Sequence, residues 1–437
     1  MLFCMTYRGC FDFKENTMTA PSGLIAGLAL ATALGGDALA APVPPAAPSH
    51  WITSWYAAPQ AGWDDGFVLP MNVPAWLERQ TVRETVRLSA GGERIRLVLS
   101  NRYGRQPVQV GAVQVGMADG RRPARPLTFS GHAAVTIRPG ASVTSDPVAL
   151  AVAPLAQLAV TSYFPVRTPI ASFHWGAQQT LAIDAGNTAG IAPDPGPARV
   201  AGRLFLSAVM VEAPAAARTV VALGDSITDG NGSTPDADRR WPDFLAQRLA
   251  RAGHANVGVA NAGIAGARLL RDGMGENALA RFEQDVLDQP GVSDVIVLLG
   301  INDIGWPGSP FAPAEQPVTL DELRAGYRQL AAAAHVRGVR ITVGTLPPFE
   351  GALEGTPYAG HYSADKEALR TRLNAWIRSA AESSADFDAV VDFDALLRDP
   401  ANPRRLRPDY DSGDHLHPGD AGYRAMAGAI DIAPLLH

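Results

Sequence analysis

Cysteine is almost absent. The 437-residue chain has two, Cys4 and Cys10, and both fall in an N-terminal leader. The mature chain would therefore have no thiol, no disulfide and no cysteine-ligated metal. Excess positive charge is missing too. The formal net charge is −6, which argues against nucleic acid or an anionic membrane surface as the main partner. Apolar runs of membrane-spanning length are also lacking. The run GLIAGLALATALG at 23–35 has the length of a signal-peptide core and is too short for a comfortable span. It ends at Ala38-Leu39-Ala40, an A-x-A processing site that would leave Ala41 as the mature start, with Met18 as an alternative start. The expectation is export to the periplasm or beyond the cell, with no stable membrane anchor once the signal is removed. Residues 1–40 then form the leader, and the Pro/Ala-rich 41–50 a linker.

Without disulfides, stability must come from the core. A composition that is 47% hydrophobic and 18% charged can supply one, for about two to three domains. Residues 51–211 read as an all-β sandwich of the jelly-roll kind. The runs 81–88 and 94–99 alternate apolar and polar residues, and Ala90-Gly91-Gly92 between them predicts a hairpin. Further short runs at 108–115, 134–137, 148–152 and 158–164 continue the pattern, with no helical period between them. Trp51 and Trp55 read as packing residues. His174, between Phe173 and Trp175, reads as a structural histidine.

The small-residue stretch 212–218 reads as a connector, after which the pattern changes. In 219–437, strand-like runs at 220–223, 257–260, 295–299, 341–345 and 389–392 alternate with helical segments at 241–252, 279–287, 320–336, 366–381 and 421–430. Such alternation predicts a parallel sheet with helices on both faces, a three-layer α/β domain. Right-handed crossovers bring every strand's C-terminal end to one side. Four short blocks stand at those ends: Gly224-Asp225-Ser226-Ile227, the run from Asn261 to Gly266, the run from Gly300 to Gly305, and Asp411-Ser412-Gly413-Asp414-His415-Leu416-His417-Pro418. A serine leaving a buried strand just before a helix sits where active sites open in such sheets.

Together and in this order, the blocks resemble the SGNH/GDSL hydrolase superfamily, which implies a flavodoxin-like form of that three-layer α/β domain. The phrases WITSWYAAPQ, RLVLSNRYGR and GDHLHPGDAGY resemble a two-domain branch of aryl esterases and acyl hydrolases with an N-terminal β domain. The resemblance implies Ser226 as nucleophile, His417 as general base and Asp414 as the carboxylate that orients it. It implies an oxyanion hole formed by the backbone N–H groups of Ser226 and Gly266 and the side-chain amide of Asn302. It also implies catalysis without cofactor or metal. Ile227 departs from the motif's leucine, a conservative change behind the nucleophile.

The chemistry is consistent with those roles. A serine hydroxyl attacks a carbonyl only when a base takes its proton, and a carboxylate on the other ring nitrogen enforces the required tautomer. Fixed donors then stabilise the developing oxyanion. Asp225 and Asp303, beside functional positions, read as acceptors for backbone amides. A phosphate-binding loop is excluded by the lack of lysine in 224–234. Asp409, Asp411, Asp414, His415 and His417 could in principle gather a metal, but the triad explains Asp414 and His417 better.

The expected function is an exported serine esterase acting on small-molecule or polysaccharide esters, deacylating a polysaccharide. The alternatives are a broad aryl-ester or lipid acyl hydrolase and, from another class, a glycan-binding protein with a vestigial hydrolase domain. Leu269, Leu270, Ile304, Trp306, Pro307, Pro347, Pro348 and Phe349 are expected to give the pocket an apolar rim.

Overall fold

The computed structural model describes residues 49–63, 66–190, 198–382 and 386–436. The leader, its processing site, both cysteines and 41–48 of the linker lie outside them. All described residues belong to one compact unit, 47–437.

Beside two short two-stranded sheets, two large antiparallel sheets make most of the first half. One has the order Ser49–Tyr56, Leu206–Pro214, Gly92–Ser100, Ser142–Thr144, with Val148–Val152 also on Gly92–Ser100. The other has the order Ala198–Leu204, Ser172–Ala185, Gln80–Arg87, Gln157–Phe164, Ala112–Met117, Arg125–Pro126. Alternate residues of both, such as Ile95, Leu97 and Val209 from the first and Val82, Val86 and Val160 from the second, share one buried apolar core. Burying every second residue of each strand against the opposite sheet is what makes a sandwich.

The predicted hairpin is not there. Gln80–Arg87 and Gly92–Ser100 lie in different sheets, so residues 88–91 cross between layers. The reason lies in the two glycines. Neither has a positive φ. A Cβ on Gly91 would stand 2.6 Å from the Val152 carbonyl oxygen, and one on Gly92 would stand 2.4 Å from that of Glu212. They serve close backbone approach at a corner, not a tight turn. The link between the halves is also shorter than expected. The Leu206–Pro214 strand runs through Glu212, Ala213 and Pro214, paired with Trp51, His50 and Ser49, which leaves 215–217 as the turn.

The second half is a five-stranded parallel sheet, in the order Val257–Gly263, Arg218–Gly224, Val292–Leu298, Arg340–Gly344, Ala389–Val391. Numbered by chain position, that is 2-1-3-4-5, the flavodoxin-like order. The Arg218–Gly224 strand, interior to the sheet, is covered on both faces, and Val220, Val221, Ala222 and Leu223 are wholly buried. This is why it reads as a continuous apolar run without alternation. The helices Trp241–Arg251, Leu320–Val336, Ala364–Glu382 and Asp420–Ala429 lie close to the predicted segments. The segment expected as one helix over 279–287 is an α turn, Ala278–Phe282, that widens into a π turn, Glu283–Leu287. A capping box starts Leu320–Val336, where the Thr319 hydroxyl accepts from the Glu322 N–H and the Glu322 carboxylate from that of Thr319. No helix among the described residues is long and apolar enough to cross a membrane.

The halves share a seam. Tyr56 donates to Asp285 at 2.8 Å, Ser89 Oγ accepts from the Val259 N–H at 2.8 Å, and Ala57 bridges Asn261.

Candidate active site

The site is built where strands end. The Arg218–Gly224 strand must stop in a glycine, because a Cβ at Gly224 would stand 2.0 Å from Thr228 Oγ1. Asp225 then caps the short turn Ser226–Asp229, its Oδ1 accepting from the Ile227 N–H at 2.9 Å. This puts Ser226 at a sharp strand-to-helix corner. Beyond Val257–Gly263, the loop carrying Gly266 turns through φ +70°. Beyond Val292–Leu298 comes the helical turn Ile301–Gly305 with Asn302. The Asn302 amide donates to the Ala267 carbonyl at 3.0 Å. Asp303 accepts from the N–H groups of Leu269 and Leu270 at 2.7 and 2.9 Å. Asn302 and the Gly266 loop are thereby fixed to each other. Asp225 and Asp303 both serve backbone amides, as their positions in the sequence suggested.

The fourth element is the loop from Asp411 to Pro418. Asp414 Oδ1 accepts from the backbone N–H groups of Leu416 and His417. Its Oδ2 lies 2.5 Å from His417 Nδ1, and His417 Nε2 lies 2.8 Å from Ser226 Oγ. A carboxylate can only accept, so Nδ1 carries the ring proton and Nε2 presents its lone pair to the serine hydroxyl. Burial alone would raise the Asp414 carboxyl. The hydrogen bond and charge of His417, with the two backbone donors, outweigh it and hold the carboxyl well below its ordinary range. His415 takes a separate partner, Asp411 Oδ2 at 2.5 Å, and stays half-exposed. The five acidic and histidine side chains of this region therefore divide into separate contacts. Among the described residues, no three His, Cys, Asp or Glu converge as metal ligands.

Ser226, Gly266, Asn302 and His417 line one cavity of about 220 Å³. Its other walls are mainly apolar: Ala265, Met274, Trp306, Phe311, Leu353, Tyr358 and Leu416, with Asn231 and His361. Two residues of the sandwich half, Leu69 and Trp175, complete it. Larger hollows of about 410 and 420 Å³ elsewhere contain none of the four groups, so size does not locate the chemistry here. Of the eight residues expected at the rim, only Trp306 lines the cavity. Leu269, Ile304 and Phe349 instead belong to the buried core of the parallel-sheet half. They follow strand ends as predicted, but the chain turns at once and folds them back onto the sheet.

Two buried groups adjoin the relay. Burial pushes the Asp225 carboxyl up to about 7; the Ile227 N–H and His417 oppose that, and Asp303 adds to it. Burial, then the Lys366 and His417 charges, pushes the His361 imidazole down to about 3, so it is neutral through the ordinary pH range.

Sequence reasoning missed the fully buried Arg281. It donates to the carbonyls of Ala262 (2.8 Å) and Gly224 (3.0 Å) and to Asp285 (2.8 Å). It thus ties the ends of the first two parallel strands together beneath the site. His174 is the structural residue expected. Its ring nitrogens face the Ala58 carbonyl at 2.8 Å and Asp229 Oδ1 at 3.0 Å, bracing the turn that carries Ser226.

Residues 220–430 match the GDSL-like lipase/acylhydrolase family. No curated protein matches the chain. Solved structures that are similar include an acetyl xylan esterase from Geobacillus stearothermophilus, 24% identical over 48% of this chain and 92% of its own, with a TM-score of 0.36. An aryl esterase from M. smegmatis is 19% identical over 48% of this chain and 95% of its own, with a TM-score of 0.37. A GDSL-like lipase from Bacteroides thetaiotaomicron is 20% identical over 50% of this chain and 87% of its own, with a TM-score of 0.36.

Proposed function

From the premise that residues 220–430 carry a GDSL-like lipase/acylhydrolase domain, and hence an ester-hydrolysing enzyme, we propose that the chain is an exported serine esterase. Its substrates are short-chain carboxylic esters, including acyl groups on polysaccharide. The observation that carries this reading is the relay from Asp414 through His417 to Ser226, with contacts of 2.5 and 2.8 Å.

Ser226 Oγ attacks the ester carbon while His417 Nε2 takes its proton, and the carbonyl π pair moves onto oxygen. Donors at Ser226, Gly266 and Asn302 stabilise that oxyanion. Collapse breaks the bond to the alcohol oxygen, which receives the proton from Nε2, and leaves Ser226 acylated. Water then attacks in the same way, and the carboxylic acid leaves. Asp414 stays ionised and holds the ring throughout. The intact relay and its open cavity argue against a vestigial hydrolase domain, and the cavity's small size favours short acyl groups over long lipid chains.

The test is turnover of p-nitrophenyl acetate and release of acetate from acetylated xylan, with wild type beside Ser226→Ala. We expect wild-type turnover of both and a loss of roughly 10⁴-fold or more in the variant. Undiminished turnover in Ser226→Ala would refute the assignment. Turnover of the aryl ester without any release from xylan would refute the polysaccharide component alone.

A further inference from the structure

The sandwich half enters the cavity through a strap and one strand. Trp63 Nε1 donates to the Leu69 carbonyl at 2.6 Å, and Trp175 Nε1 donates to the Pro70 carbonyl at 3.1 Å. Two indoles thus hold consecutive carbonyls and fix the backbone at Leu69, whose side chain lines the cavity. The fully buried Gln60 joins this wall to the opposite half. Its Oε1 accepts from the Trp175 N–H at 2.7 Å, and its Nε2 donates to the Met274 carbonyl at 2.5 Å. The aromatic contacts continue across the seam, with Phe67 6.1 Å from Trp306 and 6.4 Å from Phe311. Buried polar groups paired across a seam hold one arrangement, because each becomes costly if its partner leaves.

We propose that Leu69, held in place by Trp63 and Trp175, sets the length of acyl chain that the cavity accepts. This rests on ester hydrolysis at Ser226. The acyl chain is assigned to this wall because the wall adjoins Gly266. A Cβ on Gly266, beside the carbonyl oxygen's site, would meet Met274 Sδ at 2.7 Å and the Trp306 ring at 2.9 Å. Leu69 packs with Met274 and Trp306 in one apolar cluster, which offers the acyl chain of an ester at Ser226 an apolar path. A cavity of about 220 Å³ is below the roughly 300–1,000 Å³ of sites for drug-sized ligands. The acyl groups that fit it are short.

The experiment compares kcat/KM for p-nitrophenyl esters from acetate to octanoate in wild type, Leu69→Ala and Leu69→Phe. A parallel series holds the acyl group at acetyl and lengthens the alcohol from methyl to octyl. Removing or adding methylene-sized space in an apolar pocket changes discrimination by roughly 10-fold or more. We expect Leu69→Ala to raise the octanoate-to-acetate ratio by that factor and Leu69→Phe to lower it, with the alcohol series unmoved. Either variant alone decides the matter if the other fails to fold. A wild-type profile in the folded variants, or a shift in the alcohol series instead, overturns the proposal. A wild type that hydrolyses no ester fails at the underlying reading, an outcome distinct from an unshifted profile.

Discussion

The two halves of the molecule contribute differently to one cavity. The parallel-sheet half supplies the groups that would react: Ser226, Gly266 and Asn302 beyond three strand ends, and His417 from the loop before the last long helix. The sandwich half supplies part of the wall, Leu69 and Trp175, and a brace, His174 against Asp229. Chemistry of this kind is local, because a strand end and the turn after it fix each group within a few residues. The shape of the cavity is not local, because its walls come from segments far apart in sequence. The sandwich is therefore integral to the site rather than an appended module.

That contrast can be tested hardest at Arg281. Its charge is buried, it holds the carbonyls at the strand ends, and its partner Asp285 also takes the Tyr56 hydroxyl from the sandwich. Arg281→Met would strand the Asp285 charge, and breaking one side of a buried pair costs about 3–5 kcal/mol. Urea denaturation should show that loss, with Arg281→Lys recovering part of it. A loss below about 1 kcal/mol would mean the seam does not depend on this network.

A smaller effect sharpens the comparison on the catalytic side. The Asp225 carboxyl titrates near 7 in the fold, because burial outweighs the donors around it, against about 3.9 when unfolded. Between those values the native state binds more protons than the unfolded state, so this group's contribution is present below about pH 4 and is lost as pH rises through 7. Asp225→Asn removes the titration. Its stability relative to wild type should therefore rise between pH 5 and pH 8, on the order of 2 kcal/mol. Chemical denaturation at the two pH values checks this, and an unchanged difference would show that Asp225 is already ionised at pH 5.

What the sequence revealed follows the same division. The five parallel strands and most of the helices were legible because buried parallel strands read as plain apolar runs, while the grouping of Ser226, Asp414 and His417 was implied by the family resemblance of the four blocks. Each candidate group also followed one of those runs or lay in a single loop. The sandwich strands were legible as strands, but their partners were not. Gly91 and Gly92 look like a turn in sequence, yet act by letting carbonyls approach. Leu69 carries no signal at all, and Trp175 was noticed only as a neighbour of His174. Leu269, Ile304 and Phe349 misled because an apolar residue after a strand can face the cavity or the core, and periodicity does not distinguish the two.

The most direct test of the central claim is to treat the protein with a fluorophosphonate, which phosphonylates activated serines, and locate the adduct by peptide mass spectrometry. The account predicts one adduct, on the peptide containing Ser226. It should be absent in Ser226→Ala and slowed roughly 10³-fold or more in His417→Ala, since the hydroxyl is a weak nucleophile without its base. An adduct on another residue, or wild-type labelling in His417→Ala, would contradict it.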